Sequence, residues 1–360
     1  AWLGWLFGLG QFTVGVYWVH ISIHHYGNAG LLLSLASMLL LVVYLALFPA
    51  LMAWLLAKLA AERLWFLLVA FPAAWAATEW LRSWLFSGFP WLNLGYSQID
   101  SPLLGYAALI GVYGVGFVTV LSAGLLALLL TGTGRARVTG AVSLFLLGSL
   151  GWGLERVEWT DAAGDALTAT LVQGNVPQEL KWKPEQQRET LARYVTLTEK
   201  HADSDLVVWP ETAVPAFYDQ MAADFLDPLR RKMQAAGVSL VTGIPVLDRD
   251  NWDYYNAIIS LDQPGEFYYK AHLVPFGEYL PLRAWLQKLL SFLPVPQADF
   301  SAGGLDQPLL QAAGYPVGAS ICYEIAFGEE LIHALPEAAL LINVSNDAWF
   351  GDSLAPHQHL

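Results

Sequence analysis

A multi-span α-helical membrane bundle over residues 1–153, followed by a layered α/β domain over residues 154–360, is the fold class this sequence predicts. Three observations carry it. Charge is divided very unevenly along the chain. Long apolar runs occur only in the first part. After about residue 153 the pattern changes to short β-rich runs alternating with amphipathic ones.

Residues 1–152 hold only Lys58, Glu62, Arg63, Glu79, Arg82, Asp100, Arg135 and Arg137 as charged side chains, set among Leu, Ala, Trp, Phe and Gly. The remaining 13 basic and 28 acidic groups follow, so the net charge of −13 belongs to the second part. The basic run or patch that nucleic-acid binding needs is missing from both, which excludes that class of partner. A helix needs roughly 20 mostly apolar residues to cross a bilayer. Five stretches qualify, at about 1–23, 31–57, 64–86, 103–130 and 136–153. They are too many and too long for a signal peptide, and a soluble core does not bury five runs with almost no polar face.

Orientation follows from the connections. Lys58 and Arg63 lie in the second and Arg135 and Arg137 in the fourth, while "HHYGNAG" and "SGFPWLNLGYSQIDSP" carry neither Lys nor Arg. The positive-inside tendency puts the second and fourth loops in the cytoplasm, and an odd number of spans then leaves residues 154–360 outside. Arg82, near the outer end of its span, runs against this pattern and is expected to be buried beside Glu79. The chain starts without Met inside an apolar run and stops at "APHQHL". Further spans, and the last part of the second domain, are therefore expected beyond its ends.

In the second part, "ALTATLVQGNV" (166–176), "SDLVVWPE" (204–211), "VSLVTGIPV" (238–246), "YYNAIISLD" (254–262), "GEFYYKAHLVP" (265–275), "YPVGASICYE" (315–324) and "AALLINVSND" (338–347) read as strands ending in polar or turn residues. Helical patterns cover 184–202 and roughly 219–236. Near-continuous apolar strands imply a sheet covered on both faces, and interleaved helices imply α/β layers. One insertion, residues 276–296, is more apolar than a solvent loop. It reads either as a helix packed on its own domain or as an arm resting on the outer leaflet.

Cys322 is the only cysteine. Outside the cytoplasm a cysteine normally pairs, and a lone one is either a buried small apolar residue or a thiol with a task. Its placement favours a task. Cys322 stands at the end of a predicted strand, where catalytic groups of α/β sheets collect. Two other strand ends carry ionisable groups in apolar settings, Glu211 behind Trp-Pro and Lys270 among tyrosines. Such charges cost several kcal/mol when buried unless they pair or function. Glu211 is suited to take the thiol proton and Lys270 to stabilise an oxyanion. The three together make a covalent acyl-transfer site. Trp209, Tyr268, Tyr269 and the 276–296 arm are expected to wall it and exclude water.

The phrases "WPET", "YYKAHLVPFGEYLP", "ICYE" and "NVSNDAWFGDS" resemble those of the carbon-nitrogen hydrolase (nitrilase) superfamily. Joined to the apolar N-terminal region with "FSGFPWLNLGYSQID", they resemble its membrane-integrated branch, the apolipoprotein N-acyltransferase family, over essentially the whole chain. The resemblance implies a nitrilase-like αββα sandwich on the periplasmic side of a helical bundle in the bacterial inner membrane. It also implies transfer of a fatty acyl chain from a phospholipid donor to the amine of a diacylglyceryl-modified apolipoprotein acceptor. By motif, Glu211 is then the general base, Lys270 the oxyanion-stabilising cation and Cys322 the acylated nucleophile. Glu278, Tyr323 and Glu324 match positions used around the site, and Trp182 of "LKWKPE" matches an important tryptophan. Glu278 and Glu324 are otherwise structural ion-pair partners.

No cofactor is called for. His20, His24 and His25, with "HQH" at 357–359, lack the cysteine or carboxylate pattern that would complete a metal site. "GVYGVGF" (111–117) lies in an apolar run without a preceding strand and reads as close helix packing. The alternative function is a membrane-anchored nitrilase-type amidase with the same three residues, hydrolysing a C–N bond in a soluble substrate. Acyl transfer to a lipid-modified acceptor against release of ammonia separates the two.

Overall fold

The computed structural model describes residues 1–59, 63–162, 164–201, 203–281 and 299–360. Most of the 276–296 arm therefore lies outside the described residues. The chain divides into two compact units: Ala1–His20 with Leu31–Ala163 and Leu354–Leu360, and Ile21–Gly30 with Gly164–Ser353.

The first unit is helical. Its main helices are α1 (Trp2–Gly15), α2 (Leu31–Lys58), α3 (Phe71–Trp84), α4 (Ala107–Thr131) and α5 (Arg135–Leu154). Leu and Ala dominate them, and both are strong helix formers. Helices α1 and α2 approach closely at Gly8, where an added Cβ would lie 2.7 Å from the Ala46 Cα, as small residues allow between membrane helices. Phe12, Val16, Val42 and Leu45 fill the contact beside it. Outward positions stay apolar: Leu32, Leu40 and Phe145 are 84, 72 and 73 % exposed. Such surface suits lipid rather than water.

Among the described residues three helices, Leu31–Lys58, Pro102–Thr131 and Arg135–Leu154, are long and apolar enough to cross a membrane. The pair Trp2–Gly15 and Trp18–Tyr26, bent by 49°, passes as a fourth if taken as one span. The sequence called for five. The fifth expected stretch, 64–86, is helical too: Arg63–Trp65, a π turn at Phe66–Ala70 and α3 follow one another without a gap, with helical φ/ψ at both junctions. Helix α3 also buries two ionisable side chains. Arg82 donates to the carbonyls of Phe89 and Trp91 and to Asn93 Oδ1, and Glu79 Oε1 accepts from the Leu94 amide at 2.8 Å. Segment 111–117 falls within α4.

The second unit is α/β. Strands β1 (Ala169–Leu171), β2 (Leu206–Val208), β3 (Ser239–Asp248), β4 (Asp253–Ser260) and β5 (Phe267–Tyr269) form one sheet in that order. The first three run parallel, and β4 and β5 pair antiparallel. Strands β6 (Leu310–Ala312), β7 (Tyr315–Ile321) and β8 (Leu340–Val344) form a second sheet. A parallel pair needs a crossover. The one-turn helix α6 (Gln178–Lys181) and helix α7 (Pro184–Glu199) connect β1 to β2, and helix α8 (Asp227–Ala236) leads into β3.

Strand alternation sets the layers. Val207, Trp209, Leu240, Ile244 and Ile259 pack with Leu191 and Tyr194 of α7 and Leu229 and Met233 of α8. Leu206, Val208, Val241 and Ile258 face the other way and pack with Leu310, Val317, Ile321 and Val344 of the second sheet. Helices, first sheet and second sheet thus stack in that order. Both faces of β2 are buried, which is why its run reads as continuously apolar. Each of the seven expected runs contains a strand. Strand β6, at Leu310–Ala312, lies outside those runs.

Candidate active site

Four polar side chains converge just beyond the strand ends. Glu211 lies three residues past β2, in a tight turn closed by Ala213 N–H on the Pro210 carbonyl. The turn continues through Thr212 at φ +48° and rests on β3 at Gly243. An added Cβ there would sit 2.5 Å from the Thr212 nitrogen and 2.8 Å from the Glu211 Cα, so only glycine admits it. Glu211 is buried, and its Oε1 accepts from Asn256 Nδ2 of β4 at 2.7 Å. Its backbone carbonyl accepts from Lys181 Nζ at 3.0 Å.

Lys270 follows β5 directly and is 1 % exposed. Its amide donates to the Asn256 carbonyl at 2.8 Å, so Asn256 holds the Glu211 carboxylate with its side chain and Lys270 with its backbone. Lys270 Nζ donates to Glu278 Oε1 at 2.8 Å, and Glu278 Oε2 accepts from the Val274 amide at 2.8 Å. Burial opposes the ammonium charge. The negative charges of Glu278 and Glu211 outweigh that and hold Lys270 above the usual lysine range.

Cys322 follows β7 at φ +55°, a strained conformation for a non-glycine residue. Its carbonyl accepts from Asn343 Nδ2 at 3.2 Å, and the Ser345 hydroxyl hydrogen-bonds its sulfur. Burial pushes the thiol up to about 12, with Glu211 and Glu278 adding to the rise and Lys270 and Ser345 opposing it. The resting cysteine is thus a neutral thiol beside a permanent cation and two acidic side chains. It becomes a nucleophile when a base takes its proton.

Glu324 ties two of these segments together. Its Oε1 accepts from the amides of Ala271 and His272, and its Oε2 from the Ile321 amide and the Tyr268 hydroxyl, at 2.6–3.1 Å. It therefore locks the chain after Lys270 to the chain before Cys322. Burial nonetheless raises its pKa, the backbone donors and Lys270 pulling against that. Tyr323 is buried against Phe327 and His272.

The structure thus brings Glu211, Lys270, Cys322 and Glu278 together, with Glu324 and Tyr323 behind them. Trp182 is different. It ends α6, is 49 % exposed and takes no part in the hydrogen-bond network at Glu211. The expected wall also needs correcting. Trp209 is fully buried in the core against α7, where its indole donates to Thr198 Oγ1 at 2.8 Å. Tyr268 packs between the sheets, and Tyr269 packs on Tyr255 at 4.5 Å between ring centroids. Among the described residues no group of three or more His, Cys, Asp or Glu could hold a metal.

Sequence reasoning missed Lys181, Asn256 and Gly243. A lone Asn inside the apolar run "YYNAIIS" was the available signal, since a buried amide needs partners. Asn343 and Ser345 lie in the quoted "NVSND" phrase, whose part in holding the cysteine only the geometry reveals.

A family model described as carbon-nitrogen hydrolase matches residues 168–360, more than half of the chain and all of these groups. The second unit is therefore a carbon-nitrogen hydrolase domain. A second model, the N-terminal domain of apolipoprotein N-acyltransferase, matches residues 1–125. The apolipoprotein N-acyltransferase of Methylococcus capsulatus is 51 % identical over 359 residues, covering 99 % of this chain and 71 % of that one. That of Nitrosomonas europaea is 43 % identical, covering 99 and 72 %. The chain belongs to the apolipoprotein N-acyltransferase family.

Proposed function

We propose that this chain moves a fatty acyl group from a membrane phospholipid to the N-terminal amine of a diacylglyceryl-cysteine lipoprotein, through a thioester on Cys322. Residues 1–153 serve as the membrane bundle, and residues 154–360 as the catalytic domain on the periplasmic side of the inner membrane. The charge asymmetry of the loops supports that orientation, and three to four helices of spanning length support the bundle.

The reaction runs in two halves. Glu211 takes the proton from Cys322 Sγ, and the thiolate attacks the ester carbonyl carbon of the phospholipid. Lys270 Nζ and a backbone N–H at the Cys322 turn hold the tetrahedral oxyanion. The ester C–O bond breaks, the proton on Glu211 passes to the leaving alcohol, and a lysophospholipid departs. The lipoprotein's amine then attacks the thioester carbonyl with Glu211 accepting its proton. The C–S bond breaks and the thiol is restored. Glu278 keeps Lys270 charged and aimed, and Glu324 and Tyr323 keep the nucleophile turn in place. Trp182, exposed at the end of α6, serves substrate contact.

The observation that carries this reading is the convergence of a neutral, half-buried thiol, a buried carboxylate and a fixed ammonium at three strand ends. The test uses the protein in phospholipid nanodiscs with a diacylglyceryl lipopeptide. N-acylated lipopeptide and lysophospholipid should form one for one, and Cys322→Ala should form neither. Lys270→Met, removing one oxyanion donor, should cost on the order of 10²–10³ in rate. Ammonia release from a soluble amide, with no acylated lipopeptide, would overturn the proposal in favour of the amidase.

A further inference from the structure

Lys181 is a buried cation that the proposed reaction leaves unused. It is the last residue of α6 and only 6 % exposed. Its ammonium donates to the Glu211 backbone carbonyl at 3.0 Å. Burial pulls it down to about 8, with the Glu211 carboxylate pulling the other way. Burying an ammonium is costly unless it is paired or has a task. The fold as such does not call for a lysine here.

What lies around Lys181 suggests the reason. The peptide it holds belongs to the Glu211 turn, whose next residue is Thr212 at φ +48°. Asn256 holds the other end of Glu211, its carboxylate. On the same one-turn helix, buried Gln178 accepts from Asn346 Nδ2 at 2.9 Å. Asn346 follows Ser345, which hydrogen-bonds the Cys322 sulfur. Helix α6 therefore reaches the base through Lys181 and the nucleophile's loop through Gln178.

We infer that Lys181 is a positioning residue for acyl transfer: by gripping the Glu211 carbonyl it sets where the base stands relative to Cys322. The inference rests on the proposed role of Glu211 and goes beyond it. Misplacing a catalytic group by about 1 Å can cost 10²-fold in rate. Replacing Lys181 should accordingly slow the chemistry of each folded site without weakening the binding of lipid.

The experiment is single-turnover acylation of Cys322 by phospholipid, using the protein in nanodiscs. The amplitude counts intact sites and the rate constant reads their geometry. Lys181→Met should lower the rate constant roughly 10- to 100-fold, with amplitude per folded molecule and lipid dependence unchanged, even though the midpoint falls as the Glu211 carbonyl loses its donor. Lys181→Arg, which keeps a charged donor, should recover most of the rate. If Lys181→Met does not fold, Lys181→Gln carries the test, with a lower rate constant at full amplitude expected. A rate constant that stays at the wild-type value in folded variants, or a loss confined to amplitude, would overturn the proposal. The same variants are read with p-nitrophenyl butyrate, an activated ester that either an acyltransferase or an amidase would accept at Cys322. A wild-type protein acylated by this ester but not by phospholipid would end the phospholipid reading. The ester rate constants would then still decide the role of Lys181.

Discussion

At the scale of single residues, the site depends on protons kept where solution chemistry would not keep them. Burial and two carboxylates hold Cys322 as a thiol, up to about 12. Its alkylation by iodoacetamide at pH 8 should therefore be far slower than that of a free cysteine. The neighbours act with opposite signs. A carboxylate beside a thiol disfavours the thiolate and a cation favours it. Glu211→Gln should therefore move the pH midpoint of alkylation down while abolishing acylation, and Lys270→Met should move it up. Mass spectrometry of the Cys322 peptide across pH checks both, and shifts of the same sign would contradict the charge arrangement. Trp209 makes a second prediction. Thr198→Val leaves its indole N–H buried without an acceptor, which costs about 1–3 kcal/mol. Denaturant unfolding should register that loss while the acylation rate per folded molecule stays the same. Had Trp209 lined the pocket, the rate would change instead. Strand alternation explains the misplacement. Val207 and Trp209 share the face toward α7, and Leu206 and Val208 take the other, so closeness to Glu211 in sequence says little about which way the ring points.

At the scale of elements, the strand ends were legible because ionisable residues terminating apolar runs have few structural reasons to be there. Glu211, Lys270 and Cys322 each announce themselves that way. The supports do not. Lys181 sits in a segment rich in charge, where nothing marks one lysine as buried, and Gly243 looks like any glycine in a strand. Gly243 matters because the base turn lies directly on β3. Gly243→Ala puts a methyl 2.5 Å from the Thr212 nitrogen and 2.8 Å from the Glu211 Cα, and these are backbone atoms with little room to yield. Overpacking of this kind costs about 1–3 kcal/mol. The turn that moves carries Glu211, the proposed base, so acylation should fall on the order of 10²-fold, far beyond any loss of folded protein. Thermal unfolding alongside single-turnover acylation separates the two effects, and an unchanged rate would mean that the turn does not rest on β3.

At the scale of the whole molecule, the sequence separates an apolar helical part from an acidic α/β part because the two solvents impose different compositions. In lipid, backbone groups must be satisfied within helices, which gives long apolar runs. In water, layered sheets give short ones. The stretch 64–86 follows the rule as well, with a π turn at Phe66–Ala70 that composition does not reveal. The layers of the second unit follow from strand periodicity, whereas the grip of Glu324 on two separate segments depends on tertiary geometry that no local pattern records. The central claim is that this assembly stores an acyl group on one sulfur. The measurement that tests it most directly is the intact mass of the Cys322 peptide after incubation with phospholipid and no acceptor. A fatty acyl adduct that hydroxylamine removes, that is missing from Cys322→Ala and that disappears when lipopeptide is added is the predicted result. A folded protein whose Cys322 stays unmodified while lipopeptide is still acylated would contradict it.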